Sequence, residues 1–516
     1  MLKFQVFEGS EPAGSWPLRN AYLVGSDGNA IRCDILFEPG LICCEKRESG
    51  AAALALQHKV GDLGELTIQT CLLPERDEPY LLTLELARHR LMTLYNKLED
   101  WAMFDLADDH VVTRRTAAAR DKFLEAISIQ HEDPATADKL AFEALTTALD
   151  GTEELALAHS ELLLNKRVST SSIPQTPIAC SINYDKAHDR LRGGVQKHFD
   201  LLHVPTPWKV IAPEENEFNW GPMDVWTEWA NVNRMPVMAG PLISFEPSNL
   251  PDWIYIWEHD YDTIRDLVYE HVERVVVRYR DSIKVWNVLS GLHVNSHFTF
   301  NFEQLMDLTR MTTMLVKKAQ PNTKVIVEIS QPFGEYFATN QRSIPTLMYA
   351  DLLVQSGIQF DLLGIRLPMG QALPGQYTRD LMQISNMLDT FSHFGKPIAL
   401  TCSVPSEPVT QMMIAAPDSG EPLDPSSGYW RRPWSPTVQS HWLEAVYQIA
   451  LSKPYIETIV WDALVDNPEI ALPLSGLIDE ELQPKAAMQR LIGFRKQLKS
   501  AGEHIDSPSV STKHLE

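Results

Sequence analysis

The chain has 516 residues, 44% of them apolar, enough for two or three domains with real cores. Its 45 basic and 68 acidic residues leave a formal charge of -23, which excludes a main role on nucleic acid or an anionic membrane, since both need a positive field. There is no apolar run of about 18 residues, and Met1 to Ser10 lacks the basic-then-apolar pattern of a secretory signal. As it stands the sequence predicts a cytoplasmic protein, or a secreted or periplasmic one if a signal has been removed.

Residues 1–82 alternate short β-rich runs with turns: Lys3 to Phe7, Ala21 to Val24, Ile31 to Phe37, Ala53 to His58 and Leu66 to Leu72. Gly25-Ser-Asp-Gly28 and Gly61-Asp-Leu-Gly64 punctuate them as hairpins would. This predicts a small β-rich domain, with a sandwich as the first candidate. From Leu82 the period changes, and Leu84, Leu91, Leu94, Leu98, Trp101 and Phe104 recur at near-helical spacing. Further Ala/Leu-rich segments at 112–128, 137–149 and 151–166 complete a helical connector over 83–170. The run Ser169 to Gln175, rich in serine, marks the boundary with the largest domain.

Over 171–500, eight short apolar runs alternate with helical segments. The runs are Ile178 to Ile182, Leu201 to Val204, Val237 to Ile243, Ile283 to Leu289, Lys324 to Ile329, Phe360 to Leu367, Pro397 to Thr401 and Ile456 to Trp461. Eight βα repeats predict an α/β fold, a closed parallel (β/α)8 TIM barrel. An open doubly wound sheet is the rival, but no glycine-rich loop follows the first run, where Asn183-Tyr-Asp-Lys-Ala stands. Residues 501–516 are expected to be a disordered tail, closing in a Leu515-Glu516 vector remnant.

A barrel puts its active site at the C-terminal ends of its strands. The residues there are His203; Pro241, Ser244 and Glu246; Ser290, Gly291 and His293; Glu328; Arg366 and Pro368; Cys402; and Trp461, Asp462 and Asp466. Around these residues the chain resembles the family 10 glycoside hydrolases, best known as endo-β-1,4-xylanases. The pieces that carry the resemblance are Trp208-Lys-Val-Ile-Ala-Pro-Glu-Glu-Asn-Glu-Phe-Asn-Trp220, Gly240-Pro-Leu-Ile-Ser-Phe-Glu246, Val285-Trp-Asn-Val-Leu-Ser-Gly291, Lys396-Pro-Ile-Ala-Leu-Thr-Cys402 and Val460-Trp-Asp-Ala-Leu-Val-Asp466 with Gly476 to Lys485. The resemblance implies two catalytic glutamates, an acid/base after strand four and a nucleophile after strand seven. Here those positions fall on Gly291 and Cys402. It also implies that the family's sugar-gripping residues fall on His203 to Pro207, Pro241, Glu246, Arg366 and Pro368, and that Trp461 is retained as the floor of the sugar pocket.

The site admits two readings. In the first, relocated carboxylates hydrolyse O-glycosidic bonds: Glu246 and Glu328 stand on next-but-one strands, a spacing that admits an inverting pair with water between them. Glu246 as acid and Glu328 as base is one assignment, and the sequence does not orient them. In the second, the barrel binds glycan or protein without catalysis, and Glu328 pairs with Arg366 as a structural ion pair. Substrate contacts are expected from His203, His293, Arg366, Trp430, Trp434 and Trp461, the tryptophans at 430 and 434 closing a long loop from Ser403 to Pro436. The alternative for those two is that they pin the loop to the barrel. Trp253, Tyr255 and Trp257 alternate as if offering one aromatic face to the mouth.

The expected partner is a carbohydrate or glycoside, with no nucleic acid, membrane, cofactor or metal. His203 and His293 with the two glutamates form the only metal set worth weighing, without a metal-site spacing. The six cysteines, Cys33, Cys43, Cys44, Cys71, Cys180 and Cys402, include no CxxC pair, and most of them read as buried small hydrophobes; Cys402 as a thiol nucleophile would need His293 as its base. The acidic trio Glu214, Glu215 and Glu217 reads as a solvated loop, and Met306, Met311 and Met314 as core packing.

Overall fold

The computed structural model describes residues 1–47, 49–169, 176–184, 189–409, 428–467 and 472–503. The boundary run at 170–175, the middle of the loop after strand seven (410–427) and the tail from 504 lie outside these residues. The described part of the first 81 residues forms two small sheets and a two-stranded pair, Phe7–Glu8 with Glu11–Pro12. In one, Leu2–Gln5 and Cys33–Glu38 flank Leu41–Lys46, and Tyr80–Leu81 adds a parallel edge. In the other, Tyr22–Val24 and Gly64–Gln69 flank Ala53–Lys59, with Ala30–Ile31 beyond. Leu41–Lys46 is absent from the expected strands, although its Ile42 and Cys44 alternate into the core. Its turn depends on Gly40, at φ +79.

Three helices come next, Leu82–Asp100, Val111–Ile129 and Pro134–Ser169. The last is one helix where two segments were expected. Gly151, which suggests a break, lies mid-helix because it sits where neighbouring helices come close: a Cβ there would lie 3.4 Å from Leu94 and 3.5 Å from Arg115, leaving no room for a large side chain.

The barrel strands are Ile178–Ser181, Leu201–Val204, Val237–Ala239, Val285–Ser290, Lys324–Ile329, Leu362–Pro368, Ile398–Ser403 and Ile456–Trp461. All pair in parallel, and the last pairs with the first, so the sheet closes into the expected (β/α)8 barrel. Strand three breaks at Gly240 and Pro241 and resumes at Ile243–Ser244 against strand four. One apolar layer takes a residue from every strand: Ala179, Leu201, Met238, Val285, Ile326, Leu362, Ala399 and Val460. Because side chains alternate along a strand, the residues two positions on share that inward direction. They include Ser181, His203, Asn287, Glu328, Gly364, Thr401 and Asp462. The barrel interior therefore turns from apolar to polar in one step.

The N-terminal sheets and helices share one continuous hydrophobic core with the barrel. Buried charges cross the seam between them. Arg90 of the first helix makes two hydrogen bonds, 3.0 and 2.6 Å, to Asp380, which also caps the barrel helix Leu381–Ser392. Glu153 of the long helix accepts from Trp430 Nε1 at 2.8 Å, from Arg431 at 2.7 Å and from the Leu381 amide at 3.0 Å. Arg379 pairs with Glu335 and donates to the Tyr22 hydroxyl at 3.1 Å. Tyr429–Trp430, from the loop after strand seven, adds an antiparallel edge strand to Gly64–Gln69. A Cβ at Gly64 would lie 2.1 Å from the Tyr429 carbonyl oxygen, so only glycine permits that pairing.

Removing one member of a buried ion pair leaves the other charge desolvated, at a cost of about 3 to 5 kcal/mol. Arg90→Leu is therefore expected to lower the unfolding free energy by about that amount in urea. Adding Asp380→Asn to Arg90→Leu keeps the helix cap and removes the stranded charge, so the double variant should recover a substantial part of the loss.

Candidate active site

Three carboxyl groups and one guanidinium meet at the C-terminal end of the barrel. Arg366, on strand six, donates to Asp462 Oδ2 at 2.9 Å just beyond strand eight. Glu328, on strand five, is 4% exposed and accepts a 2.7 Å hydrogen bond from Ser290 Oγ of strand four. Its other oxygen lies 3.5 Å from the Thr401 hydroxyl of strand seven. Glu246, half-buried after strand three, joins through charge, since it acts electrostatically on Arg366, Glu328 and Asp462 alike. Gly364 makes space for this arrangement: a Cβ there would come within 2.8 Å of Glu328 Cβ.

Burial is the largest influence on these groups. It pushes the Glu328 carboxyl above its usual range; Arg366 and the Ser290 hydrogen bond oppose the shift, and Asp462 and Glu246 add to it. Asp462 is raised by burial against the pull of Arg366, with Glu246 again adding. For Arg366 burial disfavours the charge, but Asp462, Glu246 and Glu328 outweigh it, and the guanidinium stays charged. His203 faces the same interior. Burial and the nearby Arg366 hold it down to about 4, so it is a neutral imidazole, 2.9 Å from Ser181 Oγ.

The other expected contacts lie elsewhere. His293 is fully buried, stacked on Tyr349 at 4.9 Å between ring centres, with Nε2 2.9 Å from the Ser330 carbonyl. Trp461 does not floor a pocket: it is fully buried, packs against Trp442 and Tyr447, and donates to the Ser475 carbonyl at 2.8 Å. It faces the helix layer because Val460 and Asp462 on either side take the interior. Trp430 is held by Glu153 in the seam, and buried Trp434 packs beside Gly370. These two pin the loop instead of presenting aromatic faces. Trp253, Tyr255 and Trp257 lie in a 3-10 turn, Asp252–Trp257, in place of an extended run. Trp253 packs edge-on against Trp208, and Tyr255 stacks on Phe298.

Cys402 is fully buried, and burial pushes its thiol up, away from the thiolate a nucleophile needs. Alternation turns it, like Trp461 beside it, toward the helix carrying Tyr447. Gly291 adopts φ +66, and a Cβ there would stand 2.3 Å from Ser330 Oγ and 4.0 Å from Glu246 Oε1. Glu214, Glu215 and Glu217 are exposed. Met306 and Met311 are buried, whereas Met314 is exposed. Among the described residues no group of three or more His, Cys, Asp or Glu side chains is placed to hold a metal ion. Asp462 and Ser290 are the members of the cluster to which the sequence alone assigns no role. Parity signals Asp462, two residues beyond Val460, whereas Ser290 comes into step with Glu328 only through the register shift between Asn287 and Leu289.

The profile of Glycosyl hydrolase family 10 matches residues 177–313, which span strands one to four. The chain is 22% identical over 203 residues to endo-1,4-beta-xylanase 1 of Gibberella zeae, covering 38% of this chain and 55% of that protein. It is also 22% identical over 270 residues to endo-1,4-beta-xylanase B of Thermotoga neapolitana, covering 50% and 68%. The matched part thus spans little more than half of the first of these relatives. Among solved structures, xylanase 10B from Thermotoga maritima superposes with a TM-score of 0.48 at 17% identity, covering 65% of this chain and 99% of that one.

This geometry has two measurable outcomes. Cys402→Glu places a carboxylate in the helix layer without a partner, so it is expected to cost several kcal/mol in denaturant unfolding, and Gly291→Glu/Cys402→Glu should show no xylan hydrolysis in a reducing-sugar assay. The second concerns pH. A carboxyl whose folded pKa is raised binds more protons folded than unfolded, so its stabilising contribution is full below the unfolded value, about 4.3 for Glu, and is lost as pH rises through the folded value. Melting temperatures of Glu328→Gln should therefore gain on those of the unaltered protein as pH rises above about 4.

Proposed function

We propose that this protein is a carbohydrate-active barrel that hydrolyses O-glycosidic bonds with a relocated carboxylate pair. Glu328 acts as the general acid and Glu246 as the base, in place of the glutamates whose positions fall on Gly291 and Cys402. The observation that carries this reading is that Glu246 and Glu328 belong to one charge cluster around Arg366 at the strand ends. A general acid must enter the reaction carrying its proton, and burial shifts Glu328 toward that form. Half-buried Glu246 has the access to water that a base requires. Glu328 protonates the leaving glycosidic oxygen while Glu246 takes a proton from the water that attacks the anomeric carbon on the opposite face, which inverts the configuration. Arg366, anchored by Asp462, stabilises the Glu328 carboxylate left behind. Neutral His203 is available as a hydrogen-bonding partner for a sugar hydroxyl. The sequence leaves the order of acid and base open, and burial is the reason for this assignment.

A second reading, glycan binding without turnover, is favoured by the low exposure of Glu328 beneath Ser290 and Thr401. The two are separated by a screen on aryl glycosides and polysaccharides. Hydrolysis is expected to fall at least about a hundredfold in both Glu246→Gln and Glu328→Gln, and kcat/KM should decline as pH rises through the raised pKa of Glu328. Glycan binding by calorimetry with no turnover in the unaltered protein, or turnover indifferent to both substitutions, rejects the hydrolytic reading.

A further inference from the structure

The N-terminal strand Cys33–Glu38 lies at the end of its sheet and pairs on one side only, with Leu41–Lys46. Which of its backbone groups are free follows from the hydrogen bond that Val6 N donates to the Gly40 carbonyl at 3.0 Å. Successive residues of an antiparallel ladder bond opposite neighbours, so that contact turns the backbone of Ile42 and Cys44 toward Leu2–Gln5. Leu41, Cys43 and Glu45 therefore bond the edge strand, through Glu38, Leu36 and Asp34 opposite them. The N–H and C=O groups of Ile35 and Phe37 are left pointing outward, and among the described residues no other segment bonds them.

Sheet edges are commonly guarded by a bulge, a proline or a lysine. This one has none of them: its register runs unbroken from Cys33 to Glu38, and its charges are acidic. The inner face, Cys33, Ile35 and Phe37, packs on the core. The outer face presents Asp34, Leu36 and Glu38, all exposed, with Leu36 at 63%. Asp34 stands opposite Glu45, and like charges so placed repel. Lys3, two strands away on the same face, makes no ion pair with Asp34, Glu38 or Glu45 among the described residues. The edge therefore offers unpaired backbone, one apolar side chain and an excess of negative charge on a single strand.

We propose that this edge docks an extended segment of another protein as an added antiparallel strand, in which two basic residues flank an apolar one at alternate positions. Alternation sets a basic side chain beside Asp34, an apolar one beside Leu36 and a second basic one beside Glu38. The two residues between them complete the ladder with Ile35 and Phe37, so backbone supplies the affinity and the alternate side chains the selectivity. A second copy of this chain fits poorly. The register that pairs Ile35 and Phe37 of one copy with Phe37 and Ile35 of the other sets Asp34 against Glu38 twice, in a protein whose formal charge is -23.

The test is fluorescence anisotropy on the full chain with three labelled, capped peptides: Thr-Lys-Thr-Val-Thr-Lys-Thr, Thr-Lys-Pro-Val-Pro-Lys-Thr and Thr-Glu-Thr-Val-Thr-Glu-Thr. The proline peptide keeps the charge and loses the two amide protons that the Ile35 and Phe37 carbonyls would accept. Binding of the first peptide is expected to be stronger than that of the proline form by about tenfold or more, and to weaken as much in Asp34→Lys/Glu38→Lys. That variant should take the glutamate peptide instead. Both substituted side chains are exposed, and circular dichroism checks that the variant folds. Hydrogen exchange on the unaltered protein, expected to slow over residues 33–38 with the first peptide alone, keeps the result readable if it does not. No binding, equal binding of the proline peptide, exchange left unchanged, or a dimer of the unaltered chain whose edge is already slow to exchange would overturn the proposal.

Discussion

The contact between Arg90 and Asp380 does three things at once. It neutralises two charges that are almost fully withdrawn from water, it fixes the first helix of the N-terminal part against the barrel, and it holds the carboxylate that caps the helix after strand six. Desolvated charges tolerate few alternative arrangements, so a bidentate pair of this kind favours one docking geometry over its neighbours. Glu153 repeats the logic a short way along the seam, where Trp430, Arg431 and the Leu381 amide converge on one carboxylate. The N-terminal residues are thus part of the barrel's structural support, and they help set the position of strand six, which carries Arg366.

The mouth of the barrel uses charge differently. In the seam Asp380 and Glu153 are each held by direct hydrogen bonds from a guanidinium. Around Arg366 one cation serves three carboxyls, and burial leaves them competing for it. Burial shifts Glu328 and Asp462 toward their protonated forms, as it does Glu153 in the seam.

The sequence made the barrel legible because eight apolar runs in regular alternation with helices have few other solutions, and all eight lie where the strands are found. Direction around the barrel was harder to read. Whether Cys402 and Trp461 face the interior or the helices depends on which of two parities each strand adopts. A register shift between Asn287 and Leu289 on strand four shows that parity need not hold along a strand. A one-residue change of phase exchanges the two faces, and nothing local in Thr401-Cys402-Ser403 specifies it. Glu328 was legible because strand five runs without interruption from Ile326. Trp430 stayed open between two readings for another reason: an exposed aromatic on a long loop is hard to distinguish from one that finds its partner in Glu153, far away in the chain. The strand Leu41–Lys46 was missed because two adjacent cysteines and a charged end obscure its alternation.

The edge strand at Tyr429–Trp430 has a consequence for how the protein is made. Its partner, Gly64–Gln69, leaves the ribosome long before residues 429 and 430 exist, so during synthesis the N-terminal sheet carries an open edge, with Gly64 offering bare backbone. That edge is covered only after seven of the eight barrel strands have been translated. The N-terminal sheet is consequently first in the chain and among the last elements to be completed, and in the interval its safety from pairing with other chains rests on the shortness of the strand and on chaperones.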